Sequence, residues 1–362
     1  MHRLGISVYP QHSNPEKDLA YLKLAAKYGF TRVFTCLLSF DGTKDEIIST
    51  MSAFTKQAHE LNFIVSVDTN KSAFEKVGAT PLNLQPFVEM GVDIIRLDGH
   101  FDDVMDRALT LNPHHIQIEF NGSTYLNVDR MIEQGANPHN MCVCHNFYPE
   151  RYSGLSEERY YFFNSKFIHL GLTKAAFVSS NESNTFGPWP VSDGLPTLEL
   201  CREKPIEWQT RYLFATKQVD DVLVGNAFAS EEELKAMSEV NTDMVTLRPT
   251  LAEDITEIEK DILFNFIHHR RGDVNDLIIR STPTRVHYHN TSIPAKKVEK
   301  EYFEVGDVLV VNDNLAYYRG ELQVVLQPLK NTHDRNVVAH LNEDEMKLVS
   351  MIQFENFFGF IK

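Results

Sequence analysis

The sequence predicts an α/β protein: a (β/α)8 TIM barrel over residues 1–242, followed by a small, mostly β domain over residues 243–362. Three observations carry this. Short apolar runs alternate with helix-length stretches eight times within about 240 residues, the rhythm of a parallel barrel of roughly 250 residues. Polar groups close nearly every run: Ser7, Asp68, Asp98, Glu119, His145 with Asn146, Ser179 with Ser180, and Asn226. After Thr242 the rhythm gives way to one helix and several short strands separated by turn signals.

Residues 4–10 read as a first strand ending at a turn. Asn14-Pro15 opens a helix with Leu19, Leu22, Ala25 and Ala26 at helical spacing, and Gly29 stops it. Strand two covers residues 31–38, and a helix over 43–61 carries Ile47, Ile48, Met51, Phe54 and Ala58 on one face. Strand three, 63–67, ends at Asp68; a short helix over 84–90 leads to Gly91 and strand four, 92–97, which ends at Asp98. A helix over 102–111 is closed by Asn112-Pro113, and strand five, 115–118, ends at Glu119. A helix over 126–134 stops at Gly135, and strand six, 141–144, runs into His145. A helix over 156–170, strand seven at 174–179, a helix over 206–215 and strand eight at 221–226 complete the set. The last barrel helix, 230–240, begins with Ser230 and Glu233 spaced as a capping box. Beyond it come a helix over 252–267 and strands at 277–280, 308–312, 322–326 and 337–340.

Composition narrows the function. A net charge of -15 argues against nucleic acid or an anionic membrane surface as partner. No run approaches the roughly 18 apolar residues of a spanning helix, and the first ten residues lack a signal-peptide pattern. A cytoplasmic protein is the expectation. Four cysteines, Cys36, Cys142, Cys144 and Cys201, suggest no disulfide framework, and Cys142 with Cys144 reads as strand packing. The oligomeric state is not legible.

The stretch from Val92 to Ser123 is the chemical centre of this reading. Two successive strands end in a carboxylate followed closely by glycine, Asp98-Gly99 and Glu119-Phe120-Asn121-Gly122. Carboxyl ends of barrel strands form the rim where active sites are built, and paired carboxylates are what glycosidic cleavage needs. The structural alternative has one acid capping the next helix and the other pairing with a nearby arginine such as Arg96. Glu119 is the candidate general acid and Asp98 the nucleophile, base or orienting group. Ser7, Asp68, Asn121, His145, Asn146 and Asn226 are candidate substrate contacts on the same rim, with Tyr148 and Trp189 to stack on a sugar face. Trp189 lies in a long Gly-, Pro- and Ser-rich loop, residues 180–196, of a length that is usually functional or disordered, and the rigid Phe186-Gly187-Pro188-Trp189-Pro190 run argues against disorder. In the second domain Arg280, Ser281 and Arg285 could grip a phosphate through forked guanidinium contacts and a hydroxyl, or face the acidic rim as ion pairs. His268 and His269 read as solvated or helix C-terminal residues rather than as ligands. No nucleophile elbow, Gly-rich phosphate loop or dinucleotide fingerprint is present, and no cofactor or metal is implied. A metal-dependent lyase or epimerase acting on a sugar phosphate, and a non-catalytic sugar-phosphate binder, stay open beside the hydrolase.

Several motifs in order carry a resemblance: Leu4-Gly5-Ile6-Ser7-Val8-Tyr9-Pro10, Arg96-Leu97-Asp98-Gly99, Ile118-Glu119-Phe120-Asn121-Gly122-Ser123, and Cys144-His145-Asn146-Phe147-Tyr148-Pro149. Phe186-Gly187-Pro188, Asp193 to Glu199, Ile279-Arg280-Ser281 and Tyr318 to Leu322 extend it over essentially the whole chain. The sequence resembles the 6-phospho-N-acetylmuramidases of glycoside hydrolase family 170, formerly called outer surface proteins. That resemblance implies a barrel joined to a cyclophilin-like domain. It also implies cytoplasmic cleavage of the disaccharide N-acetylmuramic acid 6-phosphate–N-acetylglucosamine during peptidoglycan recycling.

Overall fold

Local signals place most elements where the sequence puts them. In the computed structural model, which describes residues 2–124, 126–191, 193–273, 275–297 and 300–362, α1 (Pro15–Lys27) is capped by the Asn14 side chain, and α2 (Lys44–Glu60) carries a full Thr43/Glu46 capping box. Such caps are worth about 1 kcal/mol each. Backbone contacts divide the chain into two units, Met1–Val240 and Asn241–Lys362.

In the first unit eight parallel strands close on themselves: β1 (Arg3–Ser7), β2 (Arg32–Cys36), β3 (Ile64–Thr69), β4 (Ile94–Leu97), β5 (Gln117–Asn121), β6 (Met141–Cys144), β7 (Thr173–Val178) and β8 (Asp221–Val224). Leu4 pairs with Val222 and Gly5 with Arg32, so β1 joins both β8 and β2 and leaves no edge. The helices between them are α3 (Lys71–Val77), α4 (Gln85–Glu89), α5 (Asp103–Thr110), α6 (Val128–Glu133), α7 (Glu157–Asn164), α8 (Ile206–Ala215) and, after β8, α9 (Glu231–Ser238). The Ser230/Glu233 capping box is present on α9. Strands β1 and β8 end earlier than expected, at Ser7 and Val224, and other expectations shift as well. Helix α3, capped by Asn70 and ended by Gly78 at φ +73°, is additional. Helix α7 stops well short of residue 170. Strand β5 runs two residues past Glu119, so that carboxylate is inside the strand and not at its end.

The barrel interior is divided. Tyr9, Phe34, Cys144, Ala175, Phe177 and Leu223 form an apolar plug, with Phe147, Phe186 and Phe228 packed on it. Phe34 and Phe177 meet edge to face at 5.1 Å, a favourable aromatic geometry. The opposite side, β3 to β5, sends Ser66, Asp68, Arg96, Glu119 and Asn121 inward, all buried. Gly5 makes the lower layer possible, because a Cβ there would lie 2.9 Å from the Arg32 carbonyl oxygen and 3.0 Å from Leu223 Cγ. All four cysteines are buried and free.

The second unit is mostly β. A five-stranded sheet runs in the order β10 (Thr250–Leu251), β17 (Arg335–His340), β14 (Asp307–Val311), β15 (Leu322–Val325), β12 (Ile278–Ser281). A second sheet joins β11 (His268–His269), β18 (Phe357–Phe360) and β9 (Val245–Leu247), and β13 (Tyr302–Phe303) pairs with β16 (Leu329–Lys330). Helices α10 (Glu257–Phe264), α11 (Pro283–Tyr288) and α12 (Glu343–Met351) complete it. His268 corrects the expectation of a solvated side chain: it is fully buried, bonded to Ser281 Oγ at 3.0 Å. Among the described residues, no helix is long and apolar enough to cross a membrane.

Candidate active site at the barrel mouth

The polar half of the barrel is organised by two buried arginines at different depths. The lower one, Arg32 on β2, donates from Nη1 to Asp221 Oδ2 at 2.9 Å and from Nη2 to Glu119 Oε1 at 2.5 Å and Ser66 Oγ at 3.2 Å. Arg3 closes the network on Asp221 with two bonds of 2.8 and 2.7 Å. Glu119 also accepts from Ser66 Oγ at 3.2 Å. Arg32 and Glu119 have no exposed side-chain surface at all. Burying charges costs several kcal/mol each unless they are paired, and here every charge is paired.

The upper arginine, Arg96 on β4, sits where an interior charge can reach three strand ends. Its Nη1 donates to Asp68 Oδ1 at 2.5 Å and to Asp98 Oδ1 at 3.5 Å, and its Nη2 donates to Asn146 Oδ1. The two carboxylate oxygens are therefore no further apart than the sum of those two distances. Their environments differ sharply. The Asp68 side chain is 7% exposed and that of Asp98 46%. Burial pushes the Asp68 carboxyl up to about 6 against the pull of Arg96, and neighbouring Asp98 adds to the rise. Asn121 Nδ2 donates to the Asp98 carbonyl oxygen at 3.4 Å.

A second strand of contacts ties β5 to β6. Asn121 Oδ1 accepts from the Ser123 amide at 2.9 Å, and Ser123 Oγ accepts from the Asn146 amide at 3.0 Å and lies 3.1 Å from His145 Nδ1. Burial pushes the Tyr148 hydroxyl up from its ordinary value, with the Ser123 side chain beside it acting the other way. Burial drives the His145 imidazole down to about 4, so it is neutral in the folded chain near pH 7. Ser7 is fully buried at the end of β1 beside Tyr9, whose hydroxyl donates to the Gly225 carbonyl at 2.5 Å.

Of the residues singled out in the sequence, Asp68, Asp98, Asn121, His145, Asn146 and Tyr148 thus gather around Arg96 and Ser123. Glu119 lies one layer deeper, tied to Arg32. Asn226 is spent on the long loop: it accepts from the Ser180 amide at 2.8 Å and donates to the Ser180 carbonyl at 2.9 Å and Thr185 Oγ1 at 2.8 Å. Trp189 stands 40% exposed on that loop. The helix-capping acid is Asp102, which accepts from the amides of Val104 and Met105. In the second unit Ser281 is fully buried and committed to His268 and the His269 amide. Arg280 and Arg285 there lie beside Glu321, at 2.7 and 4.0 Å. Ser123 is the residue the functional reading missed, and Arg96, read in the sequence only as an ion-pair partner for one of the two acids, does pair with Asp98 and with Asp68 as well. A single arginine inside the apolar run Ile94-Ile95-Arg96-Leu97 was the available signal, since an interior charge in a strand demands a partner. Among the described residues, no group of three or more His, Cys, Asp or Glu is placed to hold a metal ion.

These features define a (β/α)8-barrel protein with an acidic, arginine-centred mouth, joined to a small mostly β unit. Family comparison is specific on both units: the 6-phospho-N-acetylmuramidase N-terminal profile matches residues 4–239 and the C-terminal profile residues 245–361. The chain belongs to the 6-phospho-N-acetylmuramidase family. Among solved structures, it is similar to an uncharacterized protein of B. cereus, at 35% identity and a TM-score of 0.92, covering 100% of this chain and 99% of that one. A conserved Enterococcus faecalis protein of unknown function shares the fold at 24% identity and a TM-score of 0.72, covering 99% and 96%. No curated protein sequence matches.

Proposed function

We propose that this chain is a glycosidase that hydrolyses N-acetylmuramic acid 6-phosphate–N-acetylglucosamine, in the cytoplasmic peptidoglycan recycling that the family resemblance implies. One observation carries the chemistry: Asp68 and Asp98 flank a single Arg96 nitrogen at the mouth, one buried and the other open. Environments that push two carboxyl groups apart assign an acid and a base or nucleophile.

Asp68, raised to about 6 by burial, keeps a proton into the mildly acidic range and hands it to the departing glycosidic oxygen. Asp98, exposed to the mouth, faces the anomeric carbon as nucleophile, or orients the substrate's 2-acetamido oxygen to attack it. Water then releases the sugar, with Asp68 taking a proton back. Both routes retain anomeric configuration, and a short separation fits them: retaining pairs stand roughly 5–5.5 Å apart and inverting pairs about 6.5–9.5 Å. The general-acid role first read for Glu119 passes to Asp68, because Glu119 lies among Arg32, Ser66 and Cys142. Asn121 and Asn146 are the proposed hydroxyl partners, Tyr148 and Trp189 the sugar-stacking faces, and Ser7 and His145 the buried support beneath them.

The test is incubation of the pure protein, with chelator present, with the phosphorylated and unphosphorylated disaccharides, followed by mass spectrometry. Cleavage of the phosphorylated form alone supports the proposal. Binding without cleavage points to a sugar-phosphate binder, and cleavage only when a divalent metal is restored points to a metal-dependent reaction.

A further inference from the structure

The second unit carries a pocket of about 300 Å3 that the barrel chemistry does not use. Sheet register builds its floor. Arg280 pairs with Gln323 across β12 and β15, and Arg335 on β17 reaches Gln323 Oε1 through its Nε at 2.8 Å. Beneath them Glu321 is fully buried and Gln323 nearly so. Arg280 donates to both Glu321 oxygens, from Nε at 2.7 Å and Nη2 at 2.9 Å, and Gln323 Nε2 donates to the same carboxylate at 2.8 Å. The Tyr318 ring lies 5.5 Å from the Arg280 guanidinium.

This scaffold fixes two guanidinium groups while leaving part of each unused. Arg280 Nη1 and Arg335 Nη2 donate to no acceptor among the described residues. Both side chains remain about one-fifth exposed, at 23% and 22%. The nearby acids are already matched: Asp273 takes two bonds from Arg271, and Asp334 one from Arg335 at 2.5 Å. Ser281, which the sequence placed beside Arg280 as a phosphate ligand, is turned away to His268.

We propose that this pocket binds a small oxyanion, a phosphate monoester or a carboxylate, carried on a sugar-sized molecule. Guanidinium groups held by buried acceptors lose little freedom on binding and present a fork that fits either oxyanion. Asn275 and Asp273 at the rim offer partners for hydroxyl groups. The volume is at the lower end of small-ligand sites, which begin at about 300 Å3. The inference goes beyond the barrel reading and does not depend on it.

Calorimetric titration of the full-length chain tests it, with glucose 6-phosphate as the phosphate probe, N-acetylmuramic acid as the carboxylate probe and inorganic phosphate as control. At least one sugar acid is expected to bind, and which one identifies the oxyanion. Arg335→Met should weaken it by about tenfold or more, Arg335→Lys should fall between, and Asp98→Asn should leave the affinity in place. Arg335 is the chosen position because it does not hold buried Glu321; equal thermal unfolding of the variants verifies the fold. Binding of neither sugar acid at millimolar concentration, binding of inorganic phosphate alone, unchanged affinity in Arg335→Met, or loss in Asp98→Asn instead would each overturn the proposal. Disaccharide hydrolysis is read separately, so an empty pocket on an active chain and a filled pocket on an inactive one are distinguishable.

Discussion

Asp68 and Asp98 share one nitrogen of Arg96, at 2.5 and 3.5 Å, yet one carboxylate is buried and the other open to solvent. That asymmetry is the basis of the functional account. An arginine common to both holds the pair close, and burial, with Asp98 adding to the rise, makes the Asp68 carboxyl reluctant to ionise.

The first consequence concerns pH. Asp68 titrates at about 6 in the folded chain and must be protonated to act as acid. Activity, as kcat/KM, is expected to fall as pH rises through about 6, approaching tenfold per unit well above it. Arg96→Lys removes the fork and the Asn146 contact, so the alkaline limb should move. A profile flat from pH 5 to 8 would remove Asp68 from the acid role.

Stability should also depend on pH, and differently in the two units. Burial lowers His268 from its ordinary 6.5 to about 4. Between those values the unfolded chain binds a proton that the folded chain does not, so stability present above pH 6.5 is lost as pH falls toward 4, by up to about 3 kcal/mol. His145 acts in the same direction in the first unit, but Asp68 opposes it there: a raised carboxyl protects on the acid side and loses that contribution as pH rises from 3.8 to about 6. Hydrogen exchange at pH 7 and pH 5 should therefore show the larger loss of protection in the second unit. Equal losses would contradict this assignment.

Glu119→Gln is expected to act on stability. It leaves Arg32 with Asp221 as its remaining carboxylate partner, and breaking a buried pair of this kind costs about 3–5 kcal/mol. Denaturant unfolding measures the loss.

Gly5→Ala tests the packing beneath the site. The added methyl would meet the Arg32 carbonyl oxygen at 2.9 Å, and overpacking of a fixed backbone costs about 1–3 kcal/mol. A lowered Tm with unchanged pH dependence of activity is the expected result.

Much of the fold was legible because barrel strands and their stops are local signals. Asn14, Thr43 and Ser230 begin helices, and Gly29 and Gly135 end them. Helix α3 escaped notice because seven residues give too few turns for a periodic apolar face to register. Helix α12 had its signal, Asn342 ahead of three acids. The second unit was harder, since two-residue strands such as β11 exist only through pairing with β18. At the site, the rim residues were readable as strand ends, but depth was not. Glu119 and Asn121 both belong to β5, and only the observed end of the strand separates a carboxylate inside the barrel from an amide at its mouth. Arg32 and Arg96, far apart in sequence from most of their partners, decide which acids are paired deep in the barrel and which share a guanidinium nearer the strand ends.

The most direct measurement compares turnover of the phosphorylated disaccharide by Asp68→Asn, Asp98→Asn and Glu119→Gln, each verified as folded. The account predicts losses of about a hundredfold or more for the two aspartate variants and near-normal turnover for folded Glu119→Gln. Full activity in either aspartate variant, or its abolition only in Glu119→Gln, would contradict it.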